Sequence, residues 1–145
     1  MQIVIYPDKR LHEVSKEINI LQYNLYTSWK MIDKMTKLMQ DNNGCGLAGV
    51  QVGILKRFFI INICGEVIVV YNPKITYKSG CMNSMTEGCL SLPNKQVNML
   101  RSAIIKGVYM DKNFNPTLFE FKGINAVIFQ HEYDHLEGKL IIDKD

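Results

Sequence analysis

The chain has no apolar run approaching the length of a membrane span, so no transmembrane helix is expected. Its start, MQIVIYPDKRLHEV, lacks a basic segment followed by a long apolar one, which argues against a secretory signal. Repeats, low-complexity tracts and linker-like stretches are absent from the sequence, which leaves one domain over residues 1–145. Neither charge sign dominates: the net charge is +3 and the lysines are scattered. That argues against a dedicated nucleic-acid reader, though not against loose contact with an anionic surface. What remains is an ordinary globular composition, with 47% hydrophobic and 21% charged residues. The four cysteines are Cys45, Cys64, Cys81 and Cys89. With no signal, the expected location is the reducing cytoplasm, where free or metal-bound thiols are expected over disulfides.

Periodicity suggests an α+β fold. After a short apolar start at Ile3 to Ile5, YPDKRL reads as a turn into an irregular polar stretch. From Tyr23 to Gln40 the residues Leu25, Trp29, Ile32, Met35 and Met39 recur at three- and four-residue steps. This predicts an amphipathic helix that packs its stripe on the core and stops at DNNG. RFFIINI and EVIVVYN, joined by CG, predict a hairpin, and KITYK follows Pro73. A loop rich in Ser, Gly and Asn is expected up to Glu87, and then SAIIKGVYM and TLFEFKG flank DKNFNP as a second hairpin. Ile124 to Leu136 carries a helical pattern, with Gly123 before it and Gly138 as its stop. Mainly antiparallel strands and hairpins are therefore expected around a buried C-terminal helix, with one amphipathic helix near the N-terminus.

The terminal helix carries HEYDH, with His131 and His135 four apart and Glu132 after the first. Residues four apart share a helix face, so both imidazoles can aim at one point. Glu132 is placed to reach a water beside the metal without ligating it, as a general base requires. The preceding INAVIF is nearly all apolar, so the helix is expected to be buried, and buried polar groups need partners.

A hydrolytic metal site needs a third protein ligand. Gly138 matches the glycine of HExxHxxGxxH, but the last position is Ile141, which cannot ligate. A glutamate from a later helix, as in thermolysin-like enzymes, is also missing: Glu137 alone follows His135, and it points to another face. The ligand must lie upstream. Cys89 in EGCLSLP is the strongest candidate, because Gly88 permits close backbone approach and Pro93 limits regular pairing. Cys45 in GCGLAG is second and reads equally well as a small apolar residue, whereas Cys64 and Cys81 read as incidental thiols.

GCGLAGVQ (residues 44–51), EGCLS (87–91) and HEYDH (131–135) together resemble the three signature motifs of the peptide deformylase family, in its order and at about its spacing. YPDKRL and YNP are similar as well, so the resemblance covers essentially the whole chain. It implies a peptide deformylase-like fold and hydrolysis of the N-formyl group from the initiator methionine of nascent polypeptides, releasing formate. It implies Cys89, His131 and His135 as ligands of one divalent metal, usually Fe²⁺, with Zn²⁺, Ni²⁺ or Co²⁺ able to substitute. Glu132 would act as base and then acid, with the Gln51 side-chain amide and the Leu90 backbone N–H as oxyanion donors. Gly44, Cys45 and Gly46 would lie along the substrate. Ile124, Val127 and Ile128 share the helix face of the ligands and could line a slot for the methionine side chain. Glu87 and Arg101 are expected to pair and brace the cysteine segment, Gln96 and Arg101 to lie near the peptide's path, and Asp134 to support the site from behind. His12 reads as a surface histidine.

Two departures from the family pattern stand out. Gly49 and Val50 replace the usual alanine and frequent proline, which predicts altered packing rather than lost activity. The chain ends soon after the metal helix, so ribosome docking through a C-terminal extension cannot be assumed, and any ribosome contact would be transient. The rival readings are an HExxH metallopeptidase and a non-enzymatic deformylase-like binding protein. Ile141 weakens the first, and the intact motif residues weaken the second.

Overall fold

A computed structural model describes residues 1–143. Helix α1 (Leu25–Asp41) starts where the Asn24 side chain accepts the Thr27 N–H at 3.2 Å. Strands β1 (Gly46–Ala48), β2 (Phe58–Ile63), β3 (Glu66–Lys78), β6 (Ile104–Met110) and β7 (Pro116–Lys122) form one sheet in the order β1-β2-β3-β6-β7. Strands β4 (Met82–Cys89) and β5 (Leu92–Ser102) form a separate two-stranded sheet. Every pairing between these strands is antiparallel. Helix α2 (Gly123–Leu136) closes the order.

The two helices cover opposite faces of the large sheet. Phe59 and Ile61 of β2 pack with Ala126, Phe129 and Leu136 of α2, while Phe58 and Ile60 pack with Ile32, Met35 and Met39 of α1. This explains why FFII is an unbroken apolar run: alternate side chains point to opposite faces, and both faces are covered. The expected hairpin closes through Cys64 and Gly65, with φ of 52° and 86°. Two successive left-handed residues fit the right-handed twist of the flanking strands.

Helix α2 ends as its glycine implied. Gly138 has φ 72°, its N–H donates to the His135 carbonyl at 3.1 Å, and the Lys139 N–H reaches back to Asp134 at 2.9 Å. A β-carbon on Gly138 would lie 2.6 Å from the His12 carbonyl oxygen, so the same glycine lets the chain's first turn pack against the helix end.

Three expectations need correction. The segment read as a loop before Glu87 is largely strand β4, paired along its length with β5. Half of its positions are exposed and most of its side chains are polar, so it carries no apolar alternation. KITYK does not begin a new strand: β3 runs through Pro73, with register shifts on either side of Lys74 and Ile75. Trp29 does not join the core stripe of α1. It is 43% exposed, and its indole N–H donates to the Lys112 carbonyl at 3.0 Å, tying α1 to the β6–β7 turn.

Candidate metal centre and active-site cleft

The β4–β5 ladder shifts register between Gly88 and Cys89, so Cys89 faces Leu92 across a bulge. Bulges turn side chains out of the regular alternation, and here the thiol meets the face of α2. Cys89, His131 and His135 each offer one donor atom, and these atoms lie within 4.8 Å of one another. Cys89 Sγ is 3.5 Å from His135 Nε2. A tetrahedral cation bonded to sulfur at about 2.3 Å and to nitrogen at about 2.0 Å spans an edge of about 3.5 Å. The buried Nδ1 of His135 has no hydrogen-bond partner among the described residues, so this is no ordinary satisfied core histidine. A thiol and two imidazoles in this spacing fit a divalent metal.

Glu87 fixes the second imidazole. His131 Nδ1 donates to Glu87 Oε1 at 2.8 Å, which leaves Nε2 for the metal side. The same carboxylate accepts Arg101 Nε at 2.7 Å and Nη2 at 3.0 Å, and Arg101 Nη1 donates to Asp134 at 2.7 Å. Glu87 and Arg101 thus pair as expected and are both buried, while Asp134 anchors the far side of the guanidinium. Arg101 is therefore consumed inside the protein and does not lie on a peptide path. Gln96 does line the cleft.

Glu132 is buried, with Oε1 unpartnered among the described residues and Oε2 3.9 Å from His131 Nε2. A β-carbon on Gly46 would fall 2.6 Å from Glu132 Oε2, so the glycine of β1 makes room for this carboxylate. In the metal-free protein, burial pushes the Glu132 carboxyl up to about 7, against the pull of His131 and Arg101. Burial alone would lower His131, but Glu132, Cys89 and Glu87 outweigh it and raise the imidazole to about 10. His135 goes the other way: burial, then His131 and Arg101, hold it well below the usual imidazole range. Burial works against ionisation of Glu87, yet its bonds to His131 and Arg101 hold it below its usual value. A protonated imidazole cannot ligate, so a metal and a proton compete for Nε2 of His131.

Gln51 sits in a 3-10 turn directly after β1 and is fully buried. Its Oε1 accepts the Ala48 N–H at 2.9 Å, which fixes the amide orientation. Nε2 then points at Cys89 Sγ, 3.6 Å away, and at Ser91 Oγ, 3.1 Å away. Leu90, Gly44, Cys45, Gly46, Ile124, Val127 and Ile128 all line the same cleft, which has a volume of about 930 Å³. Val127 is buried, whereas Ile124 is half exposed at the cleft margin. The four cysteines are free thiols, and Cys45 borders the cleft without belonging to the ligand cluster.

At the first departure from the family pattern, a β-carbon on Gly49 would meet Phe58 Cε1 at 2.5 Å and the Ile54 carbonyl at 2.8 Å. The Phe58 ring occupies the space that a methyl at this position would take. His12 is exposed as expected, but it is engaged, donating from Nε2 to Asp143 at 3.0 Å.

Residues 1–144 match the family model for polypeptide deformylase. The chain belongs to the polypeptide deformylase family. It is 37% identical to peptide deformylase 1 of Rickettsia conorii, over 99% of this chain and 86% of that protein. The solved peptide deformylase of Thermotoga maritima matches with a TM-score of 0.93 at 35% identity, covering 99% of this chain and 95% of that one. A probable peptide deformylase from Synechococcus phage S-SSM7 also matches with a TM-score of 0.93, at 33% identity, covering 99% and 98%. These matches replace the metallopeptidase and binding-protein readings with a deformylase, a hydrolase.

Two features of the deformylase site escaped the sequence. Ser91, fully buried, accepts the Gln51 amide, and Gln130 clamps α2 to β5. Gln130 donates to the Ser102 carbonyl at 2.9 Å and accepts the Ser102 N–H at 3.2 Å. A polar residue within INAVIFQ was the available signal for the second.

Proposed function

We propose that this single catalytic domain removes the N-formyl group from the initiator methionine of nascent polypeptides by hydrolysis in the cleft beside α2. The observation that carries the reading is the convergence of Cys89, His131 and His135 with the buried carboxylate of Glu132. Those three residues would hold one divalent cation, with Fe²⁺ the expected occupant and Zn²⁺, Ni²⁺ or Co²⁺ as substitutes. When bound, the cation supplies Lewis acidity that makes water nucleophilic near neutral pH.

The chain's own residues do the rest. Glu132 takes the proton of the attacking water as the new C–O bond forms at the formyl carbon. Oxyanion charge is met by the Gln51 side-chain amide, already aimed at the cysteine, and by the Leu90 N–H. Glu132 then delivers its proton to the departing methionine nitrogen as the C–N bond breaks, giving formate and a free amine. Val127, Ile128 and the margin residue Ile124 take the methionine side chain, while Gly44, Cys45 and Gly46 run beside the peptide. Glu87 and Arg101 hold His131 in its ligating tautomer.

No described helix is long and apolar enough to cross a membrane. The substrate class places the work in the cytoplasm, at most in transient contact with the ribosome. The test is formate release from formyl-Met-Ala-Ser by protein loaded anaerobically with Fe²⁺ or Ni²⁺. Turnover is expected, and full metal occupancy without turnover sinks the reading.

A further inference from the structure

The N-terminal segment forms part of the cleft that holds His131 and Glu132: Met1, Gln2, Ile3 and Ile5 all line it. It is fixed at two points. The Val4 N–H donates to the Gln51 carbonyl at 2.7 Å, and the Tyr6 N–H donates to the Ser91 carbonyl at 2.9 Å. Gln51 contacts the Cys89 thiol through its side chain, and Ser91 follows Cys89 by two residues. The segment is thereby bonded to both motifs that frame the reaction centre.

Side chains alternate along such an extended stretch. Val4 points inward and packs with Leu11, Leu92, Leu140 and Ile141. Ile3 and Ile5 take the other direction, and Ile5 is 44% exposed. Exposed apolar side chains inside a cleft are binding surface in waiting. The slot on α2 accounts for the methionine alone. A peptide continuing out of the cleft needs further lining, and the rest of the cleft mixes polar residues such as Asn43, Asn94 and Gln96 with apolar ones such as Leu38, Met85 and Pro93.

We propose that Ile3 and Ile5 form an apolar subsite for the residues that follow formylmethionine, making the N-terminal segment a specificity-determining wall of the cleft. The inference rests on the deformylase reading above. Covering part of two isoleucines with an apolar side chain favours that peptide about fivefold.

The test compares formyl-Met-Leu-Leu with formyl-Met-Ser-Ser, using metal-loaded wild type and an Ile3→Ser/Ile5→Ser double variant. Both substituted positions leave Val4 and the two backbone bonds in place, and an unchanged thermal midpoint verifies the fold. Wild type is expected to prefer the Leu peptide about fivefold through KM, with kcat little changed. The double variant is expected to lose that preference, cutting the two peptides with equal efficiency. Val14→Ser, at an exposed valine outside the cleft, is expected to keep the preference. Equal preference in wild type and double variant overturns the subsite while leaving deformylation intact. Failure of wild type to cut any formyl peptide overturns the deformylase reading and this inference with it.

Discussion

A methyl group added at Gly46 tests how tightly the structure holds Glu132. The β-carbon of an alanine there would lie 2.6 Å from Oε2, 2.7 Å from the carboxyl carbon and 2.8 Å from Cγ. Ordinary contact begins at 3.4 Å, so the carboxylate must retreat by about 0.8 Å or β1 must shift. Neither movement is free, because β1 is held by β2 through the Gly46↔Ile61 pairing and Glu132 is enclosed by α2. Overpacking of this kind costs about 1–3 kcal/mol of stability. A misplacement near 1 Å in a reacting group costs about 100-fold in rate, or roughly 2.7 kcal/mol of transition-state stabilisation. Gly46→Ala should therefore lower kcat by about two orders of magnitude with metal content unchanged, since the three atoms nearest the new methyl belong to Glu132 and to none of the ligands. Formate release measured beside metal analysis decides it. A variant with wild-type kcat and a measurable loss of stability would refute the placement of Glu132.

Two further outcomes follow from buried groups. Arg101→Leu leaves the Glu87 carboxylate buried beside His131 alone, and should cost about 3–5 kcal/mol by urea denaturation; a loss below about 1 kcal/mol would contradict the pairing described. Burial lifts the Tyr71 phenol to about 12, so the unfolded chain ionises first as the pH rises past 10. Stability is thus fully present below pH 10 and lost as pH rises toward 12, and Tyr71→Phe should flatten part of that alkaline decline in thermal midpoint. An identical decline in the variant would contradict it.

Much of the fold could be read from local pattern because the elements concerned have one strong signal each. The Cys64–Gly65 turn, the apolar FFII run and the Gly138 stop each had a physical reason visible in a few residues. The β4–β5 sheet did not, since its alternation of exposed and half-buried positions is filled largely by polar residues and its strands are specified by pairing. The candidate ligands were legible because a metal needs three donors and the end of the chain supplied only two. Arg101 was misplaced on the peptide path for the opposite reason: an arginine near a motif looks exposed until its contacts with buried Glu87 and half-buried Asp134 are seen. Likewise the apolar start at Ile3 to Ile5 was visible in sequence, but the two backbone bonds that hold it against the cleft were not.

The central claim is that one carboxylate moves the proton beside a metal held by Cys89, His131 and His135. The most direct test is formate release from formyl-Met-Ala-Ser by Glu132→Ala, with metal content determined on the same sample. The account predicts one equivalent of metal per chain, as in wild type, with turnover reduced by about 100-fold or more. Turnover within a few-fold of wild type at full metal occupancy would contradict it.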